Sequence, residues 1–143
     1  MKYFLDSNIF MYAAGREHPL KAPCLVILRR VAREEVEALT NAEVLQEILY
    51  RYGAIGELQR GLHLARLAVD QIAGDVLPVT LADMRRAFDL VERYGAGIRS
   101  RDAVHAATML NNGLNQVISA DAHFDVIEGI TRIDPRKTAR LKA

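Results

Sequence analysis

The sequence predicts an α/β domain with a short, mainly parallel central sheet. Short apolar runs typical of β-strands alternate with longer stretches whose apolar residues recur at helical spacing. Capping-box patterns precede two of the helical stretches, and glycines follow where helices should end. Strands and helices that alternate along a chain favour a parallel sheet joined by helical crossovers.

Five segments have the apolar composition of strands. The first is residues 2–6, in which Tyr3, Phe4 and Leu5 precede the carboxylate of Asp6. The others are residues 36–40, 76–79, 116–119 and 131–134. If these strands are parallel, their carboxyl ends lie at one edge of the sheet, where open α/β sheets bind ligands.

The helical stretches are defined by apolar spacing and by the residues at their ends. The residues with helical spacing are Leu25, Leu28 and Ala32, then Val44, Leu45, Ile48 and Leu49, then Met84, Phe88 and Val91, and finally Ala103, Ala106, Ala107 and Leu110. The pairs with capping-box spacing are Thr40 with Glu43 and Thr80 with Asp83. The glycines expected at helix C-termini are Gly53, Gly74, Gly95 and Gly113.

Length and composition favour one globular domain over residues 1–143, in which residues 134–143 form a basic tail that could be mobile. Half of the residues are hydrophobic and 26% are charged, as is typical of globular proteins. No apolar run reaches the ~18 residues of a membrane helix, and no signal-peptide pattern precedes the first strand. Cys24 is the only cysteine and is expected in the core. These features predict a cytoplasmic protein without a membrane partner.

Four acidic residues are predicted to meet at the carboxyl edge of the sheet. Asp6 ends the first strand, and Asp121 follows the fourth strand by two residues. Glu47 lies one turn after Glu43, beside the apolar face of its helix, and Asp102 lies in the first turn of a later helix. Carboxylates this close would repel one another, and a divalent cation would relieve the repulsion. Oxygen ligands without a His or Cys array select Mg²⁺ or Mn²⁺.

Such an ion would allow phosphodiester hydrolysis, because it can activate water and stabilise a leaving group. Each acid alone also has a structural explanation. Asp6 could cap the helix that follows it, Glu43 could complete a capping box, and Asp102 could interact with its helix N-terminus. Asp121 and Asp125 could be turn residues. The joint arrangement, rather than any single residue, therefore points to a site.

Arg99 and Arg101 precede Asp102 and are candidates for binding a substrate phosphate. A solvated loop explains them equally well. The net charge of +1 excludes a strongly basic nucleic-acid-binding domain but allows a basic rim around an acidic centre. His105 is expected to be a partly buried polar residue, and His123 is a minor candidate for an outer contact to the site.

Four ordered motifs resemble those of a known family: FLDSNIF, AEVLQEIL, RDAVHAATML and ISADAHFDVIEGI. With them the chain resembles PIN-domain proteins, in particular the VapC-type toxins of toxin–antitoxin pairs, over nearly its whole length. The resemblance implies a three-layer α/β/α fold with Mg²⁺- or Mn²⁺-dependent endoribonuclease activity. The catalytic, metal-binding residues that it implies are Asp6, Glu47, Asp102 and Asp121.

The resemblance also implies supporting residues and partners. Asn8 and Ser119 occupy polar positions that help to hold the family's site, and Asp125 falls where some members carry an additional acid. Ser7 and Ser119 stand where Thr is common, and both keep the hydroxyl group. The implied partners are an RNA substrate, a small antitoxin and a second copy of the chain in a homodimer.

Two other hypotheses stay open. The same acidic site could hydrolyse structured DNA, because the sequence contains no base-reading motif that would separate the two substrates. A non-catalytic module with this fold could instead bind a protein or RNA partner, although the complete set of four acids disfavours it.

Overall fold

The computed structural model describes residues 1–72 and 75–143, and within them five parallel strands and six α-helices form a three-layer α/β/α arrangement. The strands are β1 (Lys2–Leu5), β2 (Glu37–Asn41), β3 (Val76–Leu77), β4 (Gln116–Ile118) and β5 (Thr131–Ile133). The helices are α1 (Ser7–Ala14), α2 (Lys21–Ala32), α3 (Ala42–Ala54), α4 (Leu58–Ile72), α5 (Leu81–Tyr94) and α6 (Ser100–Asn111). The predicted fold class is therefore confirmed. None of the helices in these two ranges has the length and apolarity needed to cross a membrane.

The order of the strands creates a crevice beside the central strand. The sheet runs β3-β2-β1-β4-β5, and every neighbouring pair is parallel. The chain therefore moves outward from β1 on one side and resumes on its other side with β4. Such a reversal opens a crevice at the carboxyl ends of the two strands, where ligands bind in folds of this type. Asp6 follows β1 and Asp121 follows β4.

The start of α3 differs from the sequence prediction. Thr40 lies in β2, and its hydroxyl donates to the Leu5 carbonyl of the neighbouring strand at 2.9 Å. The N-cap of α3 is Asn41, whose side-chain oxygen accepts from the Val44 amide at 3.0 Å. The predicted capping box of Thr40 and Glu43 is therefore wrong, because the contact between strands uses the hydroxyl.

Helix α5 begins where the sequence predicted, but part of the apolar stripe whose spacing predicted this helix is exposed. Thr80 accepts from the Asp83 amide at 3.1 Å, and Asp83 accepts from the Thr80 amide at 2.9 Å, which confirms the second capping box. The face of α5 that turns inward carries Asp83 and Ala87. Phe88 and Val91 are 60% and 42% exposed, so this stripe does not form core.

Two of the four predicted C-terminal glycines have the expected conformation. Gly95 and Gly113 follow α5 and α6 with φ of +54° and +70°. Gly53 lies inside α3, and the positive φ after that helix is at Gly56, at +75°. The prediction that Gly53 is a left-handed C-cap is therefore wrong, although α3 ends one residue later, at Ala54. Gly74 lies outside the described residues.

Residues 134–143, expected as a basic tail that could be mobile, pack against the rest of the chain. The Arg30 guanidinium of α2 donates to the Thr138 and Leu141 carbonyls at 2.9 and 3.2 Å. The Lys142 amide donates to the Tyr3 hydroxyl of β1 at 2.8 Å. Leu141 is buried, so one apolar side chain gives this segment a hydrophobic contact that its composition did not indicate.

Candidate metal centre

Asp6 lies where β1 ends and α1 begins, and donors surround its carboxylate. Oδ1 accepts from the Ser7 amide at 2.7 Å, and Oδ2 accepts from Ser119 Oγ at 2.6 Å and from Asn8 Nδ2 at 3.1 Å. The side chain is buried, and burial raises its pKa although His105 and the hydrogen bonds from Ser119 and Ser7 oppose the shift. Asp6 is also the N-cap of α1, so the capping role and the site role fall on the same residue.

Asn8 and Ser119 join the loop after β1 to the loop after β4. The Asn8 amide nitrogen donates to Ser119 Oγ at 3.1 Å, and the Asn8 side-chain oxygen accepts from the Ala120 amide at 3.2 Å. Ser119 Oγ also accepts from the Asp121 amide at 2.9 Å. The structure therefore brings both expected supporting residues into contact with Asp6 and with the loop that carries Asp121.

Glu47 reaches the same crevice from α3 and pairs with a histidine. Its Oε2 accepts from Ser7 Oγ at 2.9 Å and lies 3.7 Å from Arg101 Nε, while Oε1 contacts His105 Nε2. Burial alone would raise the pKa of Glu47, but His105, Ser7 and Arg101 hold it below its usual range. Burial would likewise lower the pKa of His105, yet Glu47 and Asp6 raise it. Each group therefore favours the charged form of the other in this buried contact.

Asp102 and Asp121 complete the cluster from the other side. Asp102, in the first turn of α6, is 2% exposed, and its Oδ2 has no hydrogen-bond partner in the described part of the chain. Burial, then the nearby charges of Asp121 and Asp6, raise the pKa of Asp102 to about 6. Asp121 accepts from the His123 amide at 2.9 Å and begins the 3-10 segment Ala122–Val126. The four predicted acids are thus brought together.

The donor set fits a divalent cation. The atoms fall into two groups of three, each with one ligand atom per residue and all three atoms within 4.8 Å of one another. The groups are Asp6, Glu47 and His105, and Asp102, Asp121 and His123. Burial and the repulsion from Asp121 and Asp6 together raise the pKa of Asp102, and a cation would relieve both costs. The chain therefore contains an acidic cluster that could bind a metal ion.

Asp125 does not join this cluster. It accepts from Arg132 Nε at 2.8 Å and from Arg132 Nη2 at 3.2 Å, and its side chain is 51% exposed. The Arg132 Nη1 group also donates to the Ser119 carbonyl at 3.0 Å. Asp125 therefore supports the loop through Arg132. This position differs from the one expected for an additional acid of the cluster.

Two clefts flank the acids, and arginines line both. One, of about 360 Å³, is lined by Asn8, Met11, Tyr12, Arg51, Arg99, Ala120 and Asp121. The other, of about 400 Å³, is lined by Glu43, Gln46, Glu47, Tyr50, Arg99, Ser100 and Arg101. The basic rim expected from Arg99 and Arg101 is therefore present beside the acidic centre, and Arg51 extends it.

Sequence reasoning missed the roles of His105 and Ser7. His105 is fully buried and contacts Glu47 across the interface of α3 and α6. The available signal was its position three residues after Asp102, which places the two side chains on one helix face. Ser7 had no signal beyond its hydroxyl group, because its bridge to Glu47 spans 40 residues of sequence.

Comparisons with known proteins agree with the fold. A sequence model of the family described as PIN domain matches residues 3–130. Ribonuclease VapC13 of Mycobacterium tuberculosis is 36% identical over 129 residues, which cover 90% of this chain and 97% of that protein. Among solved structures, FitAcB from Neisseria gonorrhoeae superposes with a TM-score of 0.73 at 18% identity, covering 96% of this chain and 99% of the other. A toxin-antitoxin complex from Klebsiella pneumoniae gives 0.65 at 18% identity, with coverages of 93% and 97%.

Proposed function

The chain belongs to the PIN-domain family, and from this premise we propose that it is a metal-dependent endoribonuclease and the toxin of a toxin–antitoxin pair. The observation that carries the proposal is the convergence of Asp6, Glu47, Asp102 and Asp121 at the crevice between β1 and β4. A relative of similar length, 36% identical to this chain, is named a ribonuclease, which supports RNA as the substrate.

The four acids would hold one or two Mg²⁺ or Mn²⁺ ions, directly or through water. When bound, such an ion supplies activation of water and neutralises charge at the phosphate. The protein's own contribution is to fix the carboxylates in advance. Ser7 bridges Asp6 and Glu47, and Ser119 fixes Asp6 from the loop after β4. The carboxylates then need little reorganisation during the reaction. The products of the proposed hydrolysis are a 5′-phosphate and a 3′-hydroxyl.

The arginine rim would bind the backbone of the RNA. Arg99 lines both clefts beside the acids, with Arg51 in one and Arg101 in the other. A guanidinium group matches the geometry of a phosphate oxygen pair. A strand that follows the two clefts would therefore carry a phosphodiester across the acidic centre.

The test is cleavage of a panel of RNA oligonucleotides with Mn²⁺ or Mg²⁺ and with EDTA. Asp6→Asn should lower cleavage at least about a hundredfold, the effect typical of removing one group from a preorganised site. Because asparagine caps helices as well as aspartate does, the variant should remain folded. Asp125→Asn, which alters an acid outside the cluster, is the matched control and should retain activity.

The alternatives are outcomes of the same experiment. Preferential cleavage of matched DNA oligonucleotides would replace RNA with DNA as the substrate. Failure of the folded protein to bind Mn²⁺ in a calorimetric titration would instead favour a non-catalytic binding module. Full cleavage by folded Asp6→Asn would refute the assignment of the site.

The proposed antitoxin would cover the active-site cleft. The exposed large apolar residues of α3, α4 and the turn between them are Tyr50, Ile55, Leu58, Leu67 and Val69. Because Tyr50 also lines the cleft beside Glu47, a partner bound to this surface would block the entry of RNA. Tyr50→Ala should therefore weaken inhibition by the antitoxin in the cleavage assay, and unchanged inhibition would refute this placement.

The proposed homodimer would use α5, none of whose residues lines the two clefts. Leu81, Phe88 and Val91 on this helix are 65%, 60% and 42% exposed. Such a row of large apolar side chains is more typical of an interface than of a solvated helix. Phe88→Asp should convert a dimer to a monomer in light-scattering measurements, and a dimer that persists would exclude α5 as the interface.

A further inference from the structure

The acidic cluster contains two triads of potential ligand atoms with different surroundings. The closed triad consists of Asp6, Glu47 and His105, and the open triad consists of Asp102, Asp121 and His123. The proposed function allows the acids to bind an ion either directly or through water. The difference between the two triads indicates which residues would bind it directly.

Protein donors already occupy every carboxylate oxygen of the closed triad. Asp6 accepts from the Ser7 amide on one oxygen and from the Ser119 hydroxyl on the other. Glu47 contacts His105 on one oxygen and accepts from the Ser7 hydroxyl on the other. An ion that bound these oxygens directly would have to share or displace several hydrogen bonds.

The open triad contains a carboxylate oxygen without a hydrogen-bond partner among residues 1–72 and 75–143, whereas the unpartnered atom of the closed triad in the same ranges is Nδ1 of His105, whose Nε2 contacts Glu47. Oδ2 of Asp102 has no hydrogen-bond partner in the described ranges although this residue is 98% buried, being 2% exposed. Nδ1 of His123 lies 2.6 Å from Asp121 Oδ1 and 3.9 Å from Asp102 Oδ2, yet it has no partner in hydrogen-bond geometry among the same residues. Leaving a buried carboxylate oxygen unsatisfied is unfavourable, and a ligand at this point would remove that cost.

We propose that the open triad is the direct coordination site and that Nδ1 of His123 is one of its ligands. The inference rests on the proposed metal dependence. Ligand atoms on opposite sides of one ion of this size lie about 4.2 Å apart, twice the metal–ligand distance. The distances from His123 Nδ1 to Asp121 Oδ1 and to Asp102 Oδ2, 2.6 and 3.9 Å, are both shorter than this. Asp6 and Glu47 then act on the ion through water or through their charge.

The imidazole determines which ion is preferred. Mg²⁺ favours oxygen ligands, whereas imidazole nitrogen suits first-row transition ions. Two carboxylates with one imidazole should therefore bind Mn²⁺ more tightly than Mg²⁺. A site of four carboxylates without nitrogen would show less discrimination.

The experiment uses the full chain with Mn²⁺ alone and without RNA. Electron spin-echo spectroscopy detects a nitrogen atom bound directly to Mn²⁺, and the wild-type protein should show this coupling. His123→Ala should remove the coupling and weaken Mn²⁺ binding by about tenfold or more, while Mg²⁺ binding changes much less. The matched control is His63→Ala, an exposed histidine on α4, which should change neither the coupling nor the affinity.

A second variant supplies an oxygen donor at the same position. His123→Asp should retain Mn²⁺ binding, lose the nitrogen coupling and reduce the preference for Mn²⁺ over Mg²⁺. Persistence of the coupling in both variants, or Mn²⁺ affinity unchanged by His123→Ala, would overturn the inference. Because the side chain of His123 is 39% exposed, both variants should fold, and circular dichroism will verify this.

Failure of this inference is distinguishable from failure of the proposed function. If the protein cleaves RNA with an added divalent ion but shows no nitrogen coupling, the nuclease proposal stands and the role of His123 is refuted. If it binds Mn²⁺ through His123 but cleaves no RNA, the coordination site stands and the proposed reaction is refuted.

Discussion

Asp102→Asn should stabilise the metal-free protein at neutral pH while it impairs metal binding. The pKa of Asp102 rises from 3.8 to about 6, first through burial and then through the charges of Asp121 and Asp6. A shift of about two pKa units means that ionised Asp102 destabilises the folded protein by about 3 kcal/mol. Water in the adjoining cleft screens part of this, so we expect a net gain of about 1–2 kcal/mol for the neutral amide.

The sign of the pH dependence follows from the direction of the shift. The folded state binds the proton of Asp102 more tightly than the unfolded state does. The contribution of this proton to the free energy of unfolding is therefore present below about pH 4 and is lost as the pH rises through about 6. The difference between the variant and the wild type should therefore be largest above about pH 7 and should vanish near pH 4. A neutral carboxyl group and an amide are similar in the acidic range, which is why the advantage disappears there.

The assay is urea-induced unfolding in EDTA at about pH 7.5 and about pH 4. Asp89→Asn, an exposed aspartate on α5, is the control and should change the free energy of unfolding by less than about 0.5 kcal/mol at either pH. Mn²⁺ at a hundred times its dissociation constant should stabilise the wild type by about 2.7 kcal/mol and the variant much less. Equal or lower stability of Asp102→Asn at the higher pH, or a gain that persists near pH 4, would refute the reasoning.

Three further predictions concern residues that support the site or the packing of the helices. Ser7→Ala removes the hydroxyl that donates to Glu47 at 2.9 Å but keeps the amide that donates to Asp6. It should lower RNA cleavage by about tenfold or more and the free energy of unfolding by about 1–2 kcal/mol. Ser7→Thr should restore both, and wild-type cleavage by the alanine variant would contradict the role of the hydroxyl. Gly61→Ala would place a Cβ 2.6 Å from Tyr52 Cβ, so urea unfolding should show a loss of about 1–3 kcal/mol. In the control Gly97→Ala, the new Cβ meets no atom of the described residues within 4 Å, and equal stabilities of the two variants would argue against close packing of α3 on α4. Asp125→Asn should reduce stability by less than about 1 kcal/mol and leave the Mn²⁺ affinity unchanged, and loss of that affinity in calorimetry would return Asp125 to the metal site.

Much of the site was predictable because local sequence places it. Asp6 and Asp121 directly follow apolar runs, and the parallel order of the strands brings their ends to one edge. The same local logic predicted the capping box of Thr80 and Asp83, in which both hydrogen bonds join residues three apart.

The remaining features depend on contacts between distant segments. Thr40 has the spacing of a capping residue, but its hydroxyl donates to Leu5 in the next strand. The pairing of His105 with Glu47 requires α6 to pack against α3, which no local pattern encodes. Asp125 follows Asp121 closely in sequence, yet Arg132 of β5 directs it away from the cluster. In each case a hydrogen bond between distant segments determines the role of a side chain, and the local sequence alone does not specify that role.

Anomalous X-ray diffraction from crystals soaked in Mn²⁺ is the most direct test of the central claim that four distant acids converge to hold a divalent ion. The account predicts one or two peaks enclosed by Asp6, Glu47, Asp102 and Asp121, beside Oδ2 of Asp102, which has no partner within the described part of the chain. Peaks only elsewhere on the molecule, or none at a Mn²⁺ concentration that supports RNA cleavage, would contradict it.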